Sequence, residues 1–354
     1  MPLLALRRRL SASSSLFGGV PFFPAVCLAF VNRVNHLLDV FGNRSFGSLG
    51  RMGVLLFFVH TSYVLMGSLE RLQSDAGSNW QLVTGFWCRR FFRIYPLSIL
   101  FVVLIAMFSI PGEPGAVYEW LGWKAFLSNL ALTQNLTYDY NILGVLWTLP
   151  LEVQMYVMLP GLYFAVRRRR YVSLGLWVVS VVLALVMPAI SERLDVFRYG
   201  PCFTSGSVAY DLIRSRRWRW ELPAWVWPIG IAAAILLFGP HDNLHLGVKI
   251  ERAWGVSLLL GVLYANVREG SYGGLRPVLH WIAEHSYGIY LSHTIVMGFA
   301  FYTLSGLPMW VQIVVLIVGS IGVPALLYVA VEKPLILVGG RLARRGMRLP
   351  VHVS

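Results

Sequence analysis

The stretch Met309-Trp-Val-Gln-Ile-Val-Val-Leu-Ile-Val-Gly-Ser-Ile-Gly-Val-Pro-Ala-Leu-Leu-Tyr-Val-Ala-Val331 decides the fold class, because it holds no Lys, Arg, Asp or Glu from end to end. Wound as a helix at about 1.5 Å per residue, a run of about 20 apolar residues crosses a hydrocarbon core of about 30 Å. Tyr171 to Ile190 reads the same way. The composition agrees: of 354 residues, 57% are apolar and only 13% charged, whereas soluble domains carry about 25% charged residues. Mean hydropathy is +0.64. These values exclude a soluble globular enzyme, a disordered chain and a fibrous repeat, and leave an integral membrane protein.

Apolar runs recur at about 16–38, 50–69, 95–111, 142–165, 171–190, 199–213, 222–239, 250–267, 284–304 and 308–331. The expected fold is therefore an all-α polytopic bundle of about ten transmembrane helices. Charge placement orients it. There are thirty Lys and Arg against sixteen Asp and Glu, a net charge of +14, and cytoplasmic loops collect the basic residues. With ten spans and both termini cytoplasmic, clusters such as Arg7–Arg9, Arg89–Arg93, Arg167–Arg170 and Arg341–Arg348 fall on one face. Twenty-two basic residues then lie inside and seven outside, with Arg33 within the first span. The expected organisation is a basic tail at 1–15, one membrane domain at 16–336 and a basic cytoplasmic tail at 337–354. The largest segments between spans, about 70–94 and 112–141, are too short for a separate fold, and Val117 to Leu136 reads as an interfacial helix on the outer face.

The basic excess is thus topological. It is scattered over short loops and forms no groove for nucleic acid. Cys27, Cys88 and Cys202 suit neither a disulfide frame nor a metal site.

Ionisable residues inside spans need a reason, since each costs about 2.5–3.5 kcal/mol at mid-membrane on insertion scales for Asp, Lys or Arg. The first span holds Arg33 and His36, three residues apart and so on one helical face. The second holds His60, beside Thr61 and Ser62. The fourth holds Glu152 and Tyr156, one turn apart, just after Pro150, which reads as a break in the helix. In the ninth, Ser286, Tyr290 and His293 make a polar stripe. Arg90 and Arg93 stand one turn apart where the third span begins, and with Arg89 they suit a phosphorylated donor arriving from the cytosol.

Five of these segments occur in a telling order: Phe57-Phe-Val59, Arg90-x-x-Arg93-Ile-Tyr-Pro96, Trp147-Thr-Leu-x-x-Glu152-x-Gln-x-Tyr156, Tyr287-Gly-Ile-Tyr-Leu-x-His293 and Glu332-Lys-Pro334. In order and spacing the chain resembles the acyltransferase-3 family over about residues 16–336. The resemblance implies ten spans and transfer of an acyl group, usually acetyl from acetyl-CoA, onto hydroxyls of sugars, exopolysaccharides, lipid-linked glycans or small molecules. It places the family's catalytic histidine at His36 and donor binding at Arg90 and Arg93. Two positions depart from the family. Ala25 stands where the family has an Arg eleven residues before that histidine, and Thr61-Ser-Tyr63 replaces its Ser-Gly-Phe after an additional His60.

The expected activity is membrane O-acylation from cytoplasmic acyl-CoA to a carbohydrate or lipid-linked glycan, at the plasma membrane and without a metal. His36 is the expected base, with His60 and His293 as rivals. Glu152 would orient or charge-balance that base, Arg33 or a Tyr hydroxyl would stabilise the oxyanion, and Trp147, Tyr156 and Tyr290 would contact substrate. The alternative is a polar-solute transporter or flippase, which also needs intramembrane His, Glu and Arg. It would show broken helices in two related halves, a pattern absent from the sequence.

Overall fold

The structure is a computed structural model that describes residues 47–112, 114–115, 117–168, 172–215, 221–238, 246–267 and 276–348. Its helices, in chain order, are α1 (Gly47–Gln73), α2 (Asn79–Phe108), α3 (Gly122–Ala131), α4 (Gln134–Thr137), α5 (Thr148–Arg168), α6 (Val172–Ile190), α7 (Val196–Ser215), α8 (Val226–Phe238), α9 (Leu246–Asn266), α10 (Arg276–Gly298), α11 (Met309–Leu327) and α12 (Lys333–Arg348). Two π-helical turns, Phe299–Thr303 and Tyr328–Glu332, extend α10 and join α11 to α12. Among the described residues the extended pairing amounts to an isolated bridge, Leu222 to Val267.

Among the described residues, five segments are long and apolar enough to cross a membrane: Gly53–Gln73, Asn79–Phe108, Gly144–Arg168, Val172–Ile190 and Met309–Gly346. The expected first span lies outside the described residues. Helices α7 to α10 coincide with the sixth to ninth expected runs.

The chain divides into two compact units. Of the described residues, one comprises those up to Arg71 together with those between Met158 and Ala283; the other comprises those between Leu72 and Val157 and those from Glu284 onward.

In the first unit α7 packs against α6 and α9, and every residue from Gly200 to Tyr210 is buried. Its sequence, Gly-Pro-Cys-Phe-Thr-Ser-Gly-Ser-Val-Ala-Tyr, is rich in small and hydroxyl residues, which let helices approach closely and hydrogen-bond across. Gly206 lies against the backbone at Val59 and Tyr63, leaving no room for a side chain. Ser62 and Ser207 hydroxyls meet at 3.2 Å, Ser180 and Thr204 at 2.8 Å, and Trp177 Nε1 donates to Ser205 Oγ at 3.1 Å.

In the second unit α2 packs along α12, with Gly339 seated on Phe92 and the Cys88 thiol 3.7 Å from the Gly339 carbonyl. The third apolar run marked only the end of α2. The helix starts at Asn79, capped by Ser78, whose Oγ accepts from Gln81 N–H at 3.2 Å. Residues 79–94 mix apolar and polar positions, so hydropathy misses them although their buried residues recur at helical spacing. Arg89, Arg90 and Arg93 therefore sit inside a helix rather than in the expected loop.

Pro150 likewise lies in the first turn of α5, where no backbone donor is needed, so it begins the helix instead of breaking it. The expected interfacial helix from Val117 to Leu136 is shorter and interrupted: α3 begins at Gly122 and ends at Ala131, capped by Leu132 at φ +54°, and α4 follows. The basic segment expected as a tail from 337 is helical as far as Arg348.

Candidate active site

Within the second unit, four elements bring polar side chains together. Arg90 and Arg93 share a face of α2. Arg90 Cζ lies 5.9 Å from the Phe86 ring centre, and Phe86 meets Tyr156 of α5 edge-on at 6.3 Å. Trp87 Nε1 donates to the Tyr156 carbonyl at 3.1 Å. These contacts fix α5 beside α2 and put Glu152 and Tyr156 within electrostatic reach of Arg90. Glu152 is buried, and its Oε1 accepts a hydrogen bond from the Tyr156 hydroxyl.

Arg93 acts electrostatically on two carboxylates, Glu152 and Glu332. Glu332, at the end of the second π-helical turn, is 2% exposed, and neither of its oxygens has a hydrogen-bond partner. It rests against α10 at Gly288, where an added Cβ would stand 3.0 Å from Glu332 Oε1. The Gly of Tyr287-Gly-Ile-Tyr290 is thus a close-approach glycine. Two buried carboxylates near a cluster of guanidinium groups make a costly arrangement in a low-dielectric interior.

On α10, the Tyr287 hydroxyl donates to the Ile94 carbonyl of α2 at 2.8 Å, and the Tyr290 hydroxyl reaches the Val145 carbonyl and Thr148 Oγ1, each at 2.7 Å. These bonds tie α10 to α2 and to the start of α5. His293 follows one turn on, its ring 6.0 Å from that of Tyr290. Its Nδ1 lies 2.6 Å from the Tyr290 carbonyl. A carbonyl only accepts, so Nδ1 carries the proton and Nε2 keeps its lone pair. That Nε2 is buried and has no partner.

Of the residues expected from sequence, the second unit holds Glu152, Tyr156, Arg89, Arg90, Arg93, Tyr290, His293 and Trp147, the last half-buried in the 3-10 turn Gly144–Trp147. The hydroxyls expected to meet substrate, Tyr156 and Tyr290, are already engaged by Glu152 and by Val145 and Thr148. His60 belongs to the first unit. It stands 6.4 Å, ring to ring, from Tyr264, which also meets Tyr63 and Trp227, and its Nε2 is buried without a partner. Arg33 and His36 lie outside the described residues. Sequence reasoning missed Glu332 and Tyr287 as site residues. Both stand in the quoted segments, but a Glu closing an apolar run reads as the end of a span.

Among the described residues no group of three His, Cys, Asp or Glu could hold a metal ion. The described residues thus set a guanidinium face, a carboxylate–phenol pair and a histidine with an available nitrogen on apolar helices long enough to cross a membrane. The model of the acyltransferase domain family matches residues 22–329, and the chain belongs to the acyltransferase-3 family.

It is an acyltransferase. Among similar proteins, one of Acidianus two-tailed virus, provisionally named an acetyltransferase, is 24% identical over 257 residues, covering 70% of this chain and 73% of the relative. The acyltransferase MdmB of Streptomyces mycarofaciens is 24% identical over 294 residues, covering 73% and 71%. A protein of Staphylococcus aureus strain COL, provisionally named an O-acetyltransferase, is 23% identical over 307 residues, covering 77% of this chain and 50% of its own length. No solved structure matches the chain.

Proposed function

We propose that this acyltransferase is a plasma-membrane enzyme with ten spans and both termini cytoplasmic, and that it moves acetyl from cytoplasmic acetyl-CoA to a hydroxyl of a carbohydrate or lipid-linked glycan. The observation that carries the reading is that one unit holds Arg90 and Arg93, Glu152 with Tyr156, and His293 with its lone pair on Nε2.

The guanidinium groups of Arg89, Arg90 and Arg93 bind the donor's phosphates, for which a planar fork is suited. His293 Nε2 takes the proton of the acceptor hydroxyl as its oxygen attacks the thioester carbonyl. The tetrahedral oxyanion is stabilised by a Tyr hydroxyl or by Arg33. Collapse breaks the C–S bond, and the CoA thiolate leaves with the proton that His293 has held. Glu152 balances the positive charge that develops on the imidazole, while Glu332 steadies Arg93 between two carboxylates. His36 is the base that spacing favours and His60 the third histidine; variants of each separate them, as set out below.

Mass spectrometry of cell-surface glycans from cells with and without the gene tests the activity. Loss of one acetyl mass from a defined glycan is the expected result. Unchanged glycans, together with no CoA release from acetyl-CoA by the purified protein, would overturn the reading in favour of a transporter or flippase. A reporter active only in the cytoplasm, placed after Ser354 and near Arg170 in separate fusions, is expected to be active at both sites.

A further inference from the structure

At the far end of α2 from the arginines, Ala106, Gly112 and residues 117–122 and 140–142 line a half-open cavity of about 370 Å³. Arg93 and Phe108 are fifteen residues apart on one helix, about 22 Å along its axis. The cavity walls carry Tyr118, Trp120 and Tyr140, with Glu119 and Asn141 between them, and no Lys or Arg.

The walls are built rather than loose. Asn129, fully buried, donates from Nδ2 to the carbonyls of Ala125 at 2.8 Å and Tyr140 at 2.9 Å, and its Oδ1 accepts from Ile142 N–H at 3.1 Å. Gly144 N–H reaches the Gly112 carbonyl at 3.1 Å. Lys124 pairs with Asp139 at 3.1 Å and donates to the Thr137 carbonyl at 2.9 Å. The Trp120 ring is braced edge-on by Trp123 at 5.3 Å and by the tilted ring of Phe126 at 5.7 Å, yet the residue remains 47% exposed. The Asn141 side-chain Oδ1 accepts from Gln134 Nε2 at 3.1 Å, which leaves its NH2 group as the donor for the cavity.

We infer that this cavity is the acceptor subsite, and that it takes a neutral pyranose ring of a saccharide chain. Rigid aromatic faces receive the apolar C–H faces of a sugar at little entropic cost, and a few fixed polar groups set its orientation. Asn141 supplies a donor and Glu119 an acceptor for ring hydroxyls. Among the described residues no cation stands in the walls to pair with a phosphate, and Glu119 disfavours a uronic acid. A row of interfacial aromatics facing lipid headgroups would need no cavity behind it, and on α3 that outward role falls to Trp123 and Leu127, 69% and 59% exposed. The inference rests on the acyl-transfer reading for its biological sense, but saccharide binding is measurable without transfer.

The test uses the full chain in nanodiscs, with cellotetraose, chitotetraose and maltotetraose as probes, tetragalacturonate as the acidic control, and saturation-transfer NMR as readout. At least one neutral tetrasaccharide is expected to bind, Trp120→Ala and Tyr140→Ala to weaken it tenfold or more, Trp120→Phe to restore it, and acetyl-CoA binding to stay unchanged in all three variants. No saccharide signal in the parent, or a signal indifferent to Trp120→Ala and Tyr140→Ala together, overturns the inference. CoA release measured alongside separates the two claims. Saccharide binding without CoA release leaves the subsite standing and removes acyl transfer, whereas glycan-dependent CoA release indifferent to Trp120→Ala does the reverse.

Discussion

Replacing His293 by Asn tests the catalytic geometry with little disturbance to the fold. The ring is 3% exposed, and its Nδ1–H bond to the Tyr290 carbonyl spans 2.6 Å. The Asn side-chain NH2 occupies nearly the position of Nδ1–H and can keep that bond, which contributes about 1 kcal/mol. What it removes is the nitrogen at Nε2. Loss of a general base slows a reaction by about 10²–10⁴, equivalent to about 2.7–5.4 kcal/mol in the barrier. Purified His36→Asn, His60→Asn and His293→Asn proteins, matched for membrane level, would be compared for acetyl transfer to the glycan identified by mass spectrometry. His293→Asn is expected to lose at least a hundredfold in kcat with the KM for acetyl-CoA unchanged. Turnover by His293→Asn within a few fold of the parent, alongside a hundredfold loss in His36→Asn, would refute the structural argument and move the base to the first span.

Three further perturbations are informative. Arg90→Ala with Arg93→Ala should weaken acetyl-CoA binding by about a hundredfold or more, from two charge-assisted bonds of about 1.5–3 kcal/mol each; unchanged affinity by calorimetry would reduce these arginines to anchors. Gly206→Leu should sharply lower the folded yield, because any side chain there meets the α1 backbone at Val59 and Tyr63 and overpacking costs about 1–3 kcal/mol or more; normal membrane levels and melting temperature would contradict the close packing. The Thr137 hydroxyl, with help from the Lys124 ammonium, holds the Asp139 carboxyl below the usual carboxylate range, so its contribution to the 122–142 segment is present above the ordinary Asp pKa and lost as pH falls through the lowered value. Hydrogen exchange of that segment should therefore accelerate in acid beyond the intrinsic pH dependence of exchange in the parent, but not in Asp139→Asn.

The sequence revealed most where lipid or spacing dictates it. Met309 to Leu327 could be read as helix because a lipid-facing surface must be apolar, and Arg90 and Arg93 could be read as one face because three residues make nearly a turn. Helix α7 gave a weak signal for the opposite reason. Surrounded by protein from Gly200 to Tyr210, it needs small and hydroxyl side chains more than apolar ones. The first half of α2 was hidden by its mixed polarity, and Pro150 was misread because proline's effect depends on its distance from the helix start. Glu332 stood in plain view, but its burial depends on Gly288, 44 positions earlier in the chain, and on Arg93, far from both. No local pattern carries that information.

The π-helical turn Tyr328–Glu332 also governs phase. Each π turn inserts one residue relative to an α-helix, which rotates everything downstream by about 100°. Helix α12 meets Phe92 through Gly339 and buries Ala343, whereas Val338 and Leu342, one position earlier in each case, are exposed. If the turn closed to α-helical geometry with no residue removed, the helix and its hydropathy would be kept, yet larger side chains would turn toward α2 and Glu332 would swing away from Gly288. The one extra residue held in this wide turn, rather than the composition of α12, sets which face of the helix meets α2.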